Sequence, residues 1–291
     1  MLLEQMSKFK QRLAVGGLGS ILVLFAIAYA THPLFRPIFV LMTAIAISFA
    51  LWEYYHIAHG KGLKPLSAVG IAATGCYVVA TFLGIEYASL SLLPGVVLFS
   101  TLCVVLAYFF VKGSDPFTNT AVTLFGILYL TIPLSFIISI TYFFPPEASQ
   151  DGRIWFLYLL FVTKFTDVGA YFFGKTLGKN KLVPFISPKK TWEGAIGGLT
   201  IAVITSILFQ QIITHYSTTL PLFQMTWMQS IVIGIAISLL AQFGDLAESL
   251  LKRDGGVKDS SHLPGLGGML DVVDSLIFTA PFVYFLMRIQ F

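Results

Sequence analysis

The sequence predicts an all-α fold: a polytopic integral membrane bundle of about nine transmembrane helices with a cytoplasmic N-terminus. Three observations point there. Of the 291 residues, 56% are hydrophobic and 11% charged, 27 are phenylalanine, and the mean hydropathy is +0.84. A soluble domain of this size does not need that much apolar surface. The apolar residues come in long continuous runs, not in the short alternating segments of a membrane barrel. The basic residues gather on one side of those runs.

Nine runs approach the ~20 residues that cross ~30 Å of hydrocarbon. They cover 13–31, 37–55, 66–83, 89–111, 118–144, 154–174, 194–214, 227–246 and 269–289. The first, flanked by Lys8, Lys10 and Arg12 and ending in Ala28-Tyr29-Ala30, imitates a secretory signal. Its apolar run is too long for one, and a second span follows at once, so it reads as a transmembrane helix. The second and third are joined by a loop bearing Lys61 and Lys64, and the fourth ends at Lys112. The fifth contains Pro133, which predicts a kink. The sixth carries Lys164, Asp167 and Tyr171 in its second half. Two long loops, 175–193 and 247–268, then precede the seventh and ninth spans.

With the N-terminus in the cytoplasm, only Arg36, Arg153, Arg288 and the intramembrane Lys164 among all lysines and arginines miss the cytoplasmic side. That asymmetry satisfies the positive-inside rule and leaves the C-terminus outside. Residues 1–150 carry short loops and almost no intramembrane charge, and read as an N-terminal scaffold. Residues 151–291 read as the catalytic region of the same continuous membrane domain. Cys76 and Cys103 lie inside apolar runs without ligand spacing, which argues against a disulfide framework or a zinc site.

Two polar stretches stand out. In "TKFTDVGAYFFGKTLGKNKLVPFISPKKTWEG", residues 163–194, Lys164, Asp167 and Tyr171 fall on one helix face. Charges at that depth are costly unless they pair or meet water, so the face reads as the wall of a site or as a structural ion pair. Lys175, Lys179 and Lys181 follow among glycines that let backbone approach a phosphate. The G-x-x-x-x-G-K-[ST] spacing of a P-loop is absent. Ser187 and Pro188 open a turn or a helix start beside Lys189 and Lys190, and lysines at a helix start suit a bound anion.

The second stretch is "GDLAESLLKRDGGVKDSSHLPGLGGMLDVVDS". Asp245 and Glu248 lie three apart, as do Asp271 and Asp274, so each pair shares a helix face. Two acidic faces at the membrane edge repel one another unless a cation lies between them, and oxygen-only ligands suit Mg²⁺. His262 reads as a turn residue or a phosphate contact. Basic loops, glycine turns and clustered acids on one face are what phosphoryl or nucleotidyl transfer requires.

These residues resemble the phosphatidate cytidylyltransferase, or CDP-diacylglycerol synthase, family. Ser249, Lys252, Arg253, Lys258, Asp259, Gly267, Gly268, Asp271 and Asp274 fit its C-terminal signature, and "SPKKTWEG" looks like its upstream motif. Leu266 stands where the family commonly has histidine, and Val272 where it has arginine. The resemblance implies that CTP and phosphatidate give CDP-diacylglycerol and pyrophosphate, with Mg²⁺ as cofactor. Lys189, Lys190, Asp245, Asp271 and Asp274 are expected to be catalytic, with Asp245, Glu248, Asp271 and Asp274 around the metal. Asp167, Tyr171, Lys175, Lys179, Ser187, Lys252, Arg253, Lys258, His262, Gly267 and Gly268 are expected to contact substrate.

The expected partners are CTP, phosphatidate, the lipid bilayer and a second copy of the chain as a homodimer, with no nucleic acid. The expected setting is a bacterial inner membrane with the active site facing the cytoplasm. A CTP-dependent lipid-alcohol kinase, a transporter and an inactive scaffold relative remain open alternatives at this point. A kinase would need a base for its hydroxyl substrate, and none can be nominated. A transport path would spread its charges over successive depths.

Overall fold

The computed structural model describes residues 2–113, 115–145, 150–216, 223–257 and 268–291, with side chains from Gly16 onward. Among the described residues, eight helices are long and apolar enough to cross a membrane. Ahead of them lies α1 (Leu2–Tyr29), apolar over its described part Gly16–Tyr29. The chain divides into two compact units, one of residues 1–138 with 254–273, the other of residues 139–253 with 274–291.

The first unit is built round α2 (Arg36–Gly60), which packs on α3 (Ser67–Glu86); α3 in turn packs on α4 (Leu93–Lys112). Prolines open α2, α4 and α5 (Pro116–Gly126), where the missing amide would be unpaired in any case. Gly113, at φ 62°, ends α4 in the left-handed conformation that costs a glycine least. Tyr55 is fully buried and donates to the Thr123 carbonyl at 2.8 Å, tying α2 to α5. Along α4, by contrast, Val96, Phe99, Phe110 and Val111 stay exposed, as a lipid-facing helix requires.

Upstream of Pro133, where a kink was expected, a π-helical turn, Ile127–Thr131, lies between α5 and α6 (Ile132–Thr141). Pro133 has no amide for the Tyr129 carbonyl and its ring crowds that oxygen, so the hydrogen-bond ladder widens just upstream.

In the second unit, α7 (Gly152–Thr176) and α8 (Trp192–Tyr216) pack closely. A Cβ at Gly194 would lie 2.8 Å from the Ala170 carbonyl oxygen, so this approach needs glycine. Asp151 caps α7, accepting from the Arg153 amide at 2.9 Å. Between these helices runs an antiparallel hairpin, β1 (Lys181–Val183) with β2 (Ser187–Thr191). The expected helix start at Ser187 is thus a strand, and Lys189 and Lys190 project from it. Cross-strand pairing of Val183 with Ser187 and Lys181 with Thr191 holds the segment extended until Thr191 caps α8, taking the Gly194 amide at 3.1 Å.

Helix α9 (Trp227–Asp254) follows, and then the ninth expected span, which is divided. Its first turn, α10 (Met269–Val273), belongs to the first unit, and α11 (Leu276–Gln290) to the second. The break falls at Asp274–Ser275, where the Asp274 carboxylate accepts the Ser275 amide at 2.5 Å. A side chain that takes the next residue's amide competes with the helical ladder.

Candidate active site

The i, i+3 spacing of Asp245 and Glu248 places both on the face of α9 that meets the break before α11. Gly244 makes the approach: a Cβ there would overlap the Asp274 carbonyl oxygen and lie 3.2 Å from its carbonyl carbon. As a result Asp245, Glu248 and Asp274 each offer a carboxylate oxygen, and the three oxygens lie within 4.8 Å of one another. Glu248 is 1% exposed and Asp274 7%. Lys190 reaches Asp245 at 2.6 Å and Lys252 reaches Glu248 at 2.6 Å. Among the described residues Asp274 makes no ion pair, although Asp245 and Asp167 both repel it and Lys164 attracts it.

Carboxylates this close and this buried repel one another unless lysines or a cation offset them. The donor set, carboxylate oxygens alone from two chain segments, is of the kind that suits Mg²⁺.

Beside the carboxylates opens a cavity of about 410 Å³. Its walls include Asp167, Tyr171, Lys175, Lys189, Lys190 and Asp245. Lys164 pairs with Asp167 at 3.7 Å and donates to the Ser275 hydroxyl at 3.4 Å, so the charged face foreseen on α7 adjoins the break that carries Asp274. The Lys175 ammonium lies 5.7 Å from the centre of the Tyr171 ring.

The other expected residues are placed differently. Lys179 is exposed; its amide and that of Asn180 donate to the Glu193 carboxylate at 3.1 Å, fastening the glycine-rich loop to the start of α8. Ser187 begins β2. Arg253 donates from Nε to the Ile186 carbonyl at 3.1 Å, holding the hairpin to the end of α9. Asp271 lies on α10 in the first unit and accepts from the Gly268 amide at 3.3 Å. Lys258, Asp259, His262, Leu266 and Gly267 fall outside the described residues.

One contributor escaped sequence reasoning. Gln242, one turn before Asp245, lines the cavity with its amide group turned to the Ala195 carbonyl at 3.2 Å. Thr191 and Glu193, which the sequence had placed beside the turn, fix the hairpin; a threonine directly ahead of an apolar run is a readable helix-start signal. Gln242 gave no such signal, because a single amide in an apolar run is equally at home between helices.

A helical membrane protein that gathers carboxylates and lysines round a cavity has the charged groups that phosphate-bearing substrates call for. Residues 10–290 match the model of the cytidylyltransferase family, and the chain belongs to that family. It is 33% identical over 290 residues to the phosphatidate cytidylyltransferase of Bacillus subtilis strain 168, covering 98% of this chain and 99% of that one. It is 34% identical over 259 residues to the phosphatidate cytidylyltransferase of Chlamydia pneumoniae, covering 85% of this chain and 82% of that one. An uncharacterized Escherichia coli K12 protein, YnbB, is 39% identical over 145 residues, half of this chain and 46% of its own.

Proposed function

We propose that this protein transfers the cytidylyl group of CTP to phosphatidate, releasing pyrophosphate and forming CDP-diacylglycerol for phospholipid synthesis. The observation that supports this most is the convergence of Asp245, Glu248 and Asp274 beside a cavity lined by Lys175, Lys189 and Lys190.

A phosphate monoester has a second pKa near ~6, so phosphatidate is largely a dianion at neutral pH and attacks without a strong base. One of its phosphate oxygens forms a bond to the α-phosphorus of CTP. The bond from that phosphorus to the bridging β-oxygen breaks, and its electron pair leaves on pyrophosphate. Lys189, Lys190 and Lys175 hold the triphosphate and its leaving group against mutual repulsion. Mg²⁺ bound by the three carboxylates would supply the further positive charge that two anionic substrates need. Asp271 joins the acidic set in this reading, on the strength of its place in the family signature.

The basic-residue asymmetry supports a cytoplasmic cavity in a bacterial inner membrane, where a soluble nucleotide meets a lipid headgroup. A homodimer is the assembly this reading expects, to be checked by sizing in detergent.

The decisive assay supplies labelled CTP and phosphatidate to purified protein in detergent. Lipid-linked CMP is expected with Mg²⁺, is lost on chelation with EDTA and returns with excess Mg²⁺. If no labelled lipid forms under any of these conditions, the proposal fails. In the same assay Asp271→Asn is expected to lose turnover while its thermal unfolding stays that of the parent. Normal turnover in that variant removes Asp271 from the acidic set.

A further inference from the structure

Among the described residues that line the cavity, Tyr171 is the one with an aromatic ring. Its side chain stands on the cavity wall and is 69% exposed, so the ring is open to a ligand. One turn further along α7, the Lys175 ammonium lies 5.7 Å from the ring centre. The i, i+4 spacing makes the two side chains neighbours on one helix face. Around them the wall is built from small residues of two helices, Ala170 and Gly174 of α7 and Gly194 and Ala195 of α8. Close packing requires this: a Cβ at Gly194 would lie 3.0 Å from the Gly174 Cα. Short side chains on both helices leave room beside the ring. The Gln242 amide group on the same wall already donates to the Ala195 carbonyl at 3.2 Å and the Ser238 hydroxyl at 3.1 Å, so it does not offer those hydrogens to a ligand.

A nucleotide has the matching arrangement. It carries a flat, uncharged ring a few bonds from its first phosphate. Aromatic side chains hold such rings by stacking, and every base offers a π-face. Lysines hold the phosphates as point charges. We propose that Tyr171 forms the base subsite of the cavity: its ring stacks on the pyrimidine of CTP, while Lys175, Lys189 and Lys190 take the phosphates. The inference rests on the nucleotide reading above and adds which part of the nucleotide lies where. An exposed aromatic near the end of a span can instead belong to the belt of rings at the membrane surface. A ring of that kind contributes nothing to nucleotide binding, and the test separates the two.

The test measures equilibrium binding by titration calorimetry, on full-length protein in detergent with Mg²⁺ and without lipid. CTP and inorganic tripolyphosphate are the separate probes. Tripolyphosphate carries the phosphate charge and lacks the base. Tyr171→Ala is expected to bind CTP about tenfold or more weakly, the usual effect of losing one base–aromatic stack. Its affinity for tripolyphosphate is expected to equal the parent's. Tyr171→Phe keeps the ring and should keep the parent's affinity for CTP. Tyr171→Leu keeps apolar bulk without a π-face and should behave as the alanine variant does. Lys175→Met should weaken both probes, since it removes a phosphate contact. In turnover with phosphatidate, Tyr171→Ala is expected to raise the KM for CTP and leave the KM for phosphatidate unchanged.

Folded Tyr171→Ala protein with the parent's affinity for CTP overturns the inference and leaves Tyr171 a ring of the membrane surface. Equal losses for CTP and tripolyphosphate overturn it too, because the ring then acts only by steering Lys175. So does a Tyr171→Phe variant as weak as the alanine one, since the hydroxyl and not the ring is then what binds. If the alanine variant does not fold, Tyr171→Leu carries the same comparison; if neither folds, the ring is structural and the inference falls. A parent protein that binds CTP but makes no lipid-linked CMP sinks the proposed reaction and leaves the base subsite to be judged by the binding data. A parent that binds no CTP sinks both.

Discussion

Asp245→Asn is expected to lower turnover roughly 10³-fold, about 4 kcal/mol of lost transition-state stabilisation, with little change in folding. The substitution keeps the shape of the side chain and removes its charge. Asp245 occupies two positions in the electrostatics of the site. It is one of three carboxylates whose oxygens lie within 4.8 Å of one another, and it holds Lys190 at 2.6 Å. An amide is a poor Mg²⁺ ligand beside a carboxylate, so the cation is bound more weakly. Lys190, released from its partner, also loses its fixed place on the cavity wall. The side chains of Asp245 and Lys190 are 38% and 23% exposed, so water can solvate what the substitution uncovers, and thermal unfolding should move little. Raising Mg²⁺ should recover part of the lost rate. A variant with normal turnover at ordinary Mg²⁺ would remove Asp245 from the chemistry and take the carboxylate cluster's role with it.

Gly244→Ala is expected to cost roughly 100-fold in turnover and to weaken Mg²⁺ binding, although it adds one methyl group and touches no substrate. The new Cβ would overlap the Asp274 carbonyl oxygen and lie 3.4 Å from the Ser275 Cα. These are backbone atoms, which cannot swing aside as the end of a long side chain can. Helix α9 and the break before α11 must separate, and Asp274 moves off Asp245 and Glu248. Overpacking of this kind costs about 1–3 kcal/mol of stability as well. Gly75→Ala in α3 is the control, because nothing lies within 4 Å of the Cβ it would add. Parent-like Mg²⁺ dependence in Gly244→Ala would show that the close approach does not set the geometry of the cluster.

Much of this protein was readable in one dimension. Lipid imposes a simple rule, that a crossing segment must be long, apolar and internally hydrogen-bonded, and such segments announce themselves without knowledge of their neighbours. The acidic pairs and the basic loops were legible for a related reason: in a chain this apolar, each charged residue is conspicuous. The hairpin was not legible. "SPKKT" has no alternation of apolar and polar residues, and its strand conformation depends on pairing with Lys181–Val183 and on the Glu193 carboxylate that fastens the loop. The break in the last span was hidden as well, because Asp274 reads as one more position of a continuous helix until its carboxylate is seen taking the Ser275 amide.

By itself, then, the sequence determined the membrane-spanning helical architecture, the set of charged residues available for chemistry and the resemblance to a lipid cytidylyltransferase. Each depends on composition or local spacing. Tertiary structure alone decided which carboxylates converge, that Arg253 serves the hairpin, and that the buried Glu53 of α2 accepts the Met269 amide, 216 residues away. Those outcomes depend on which backbones approach closely enough to exclude a Cβ or to share a hydrogen bond, and spacing along the chain does not encode that.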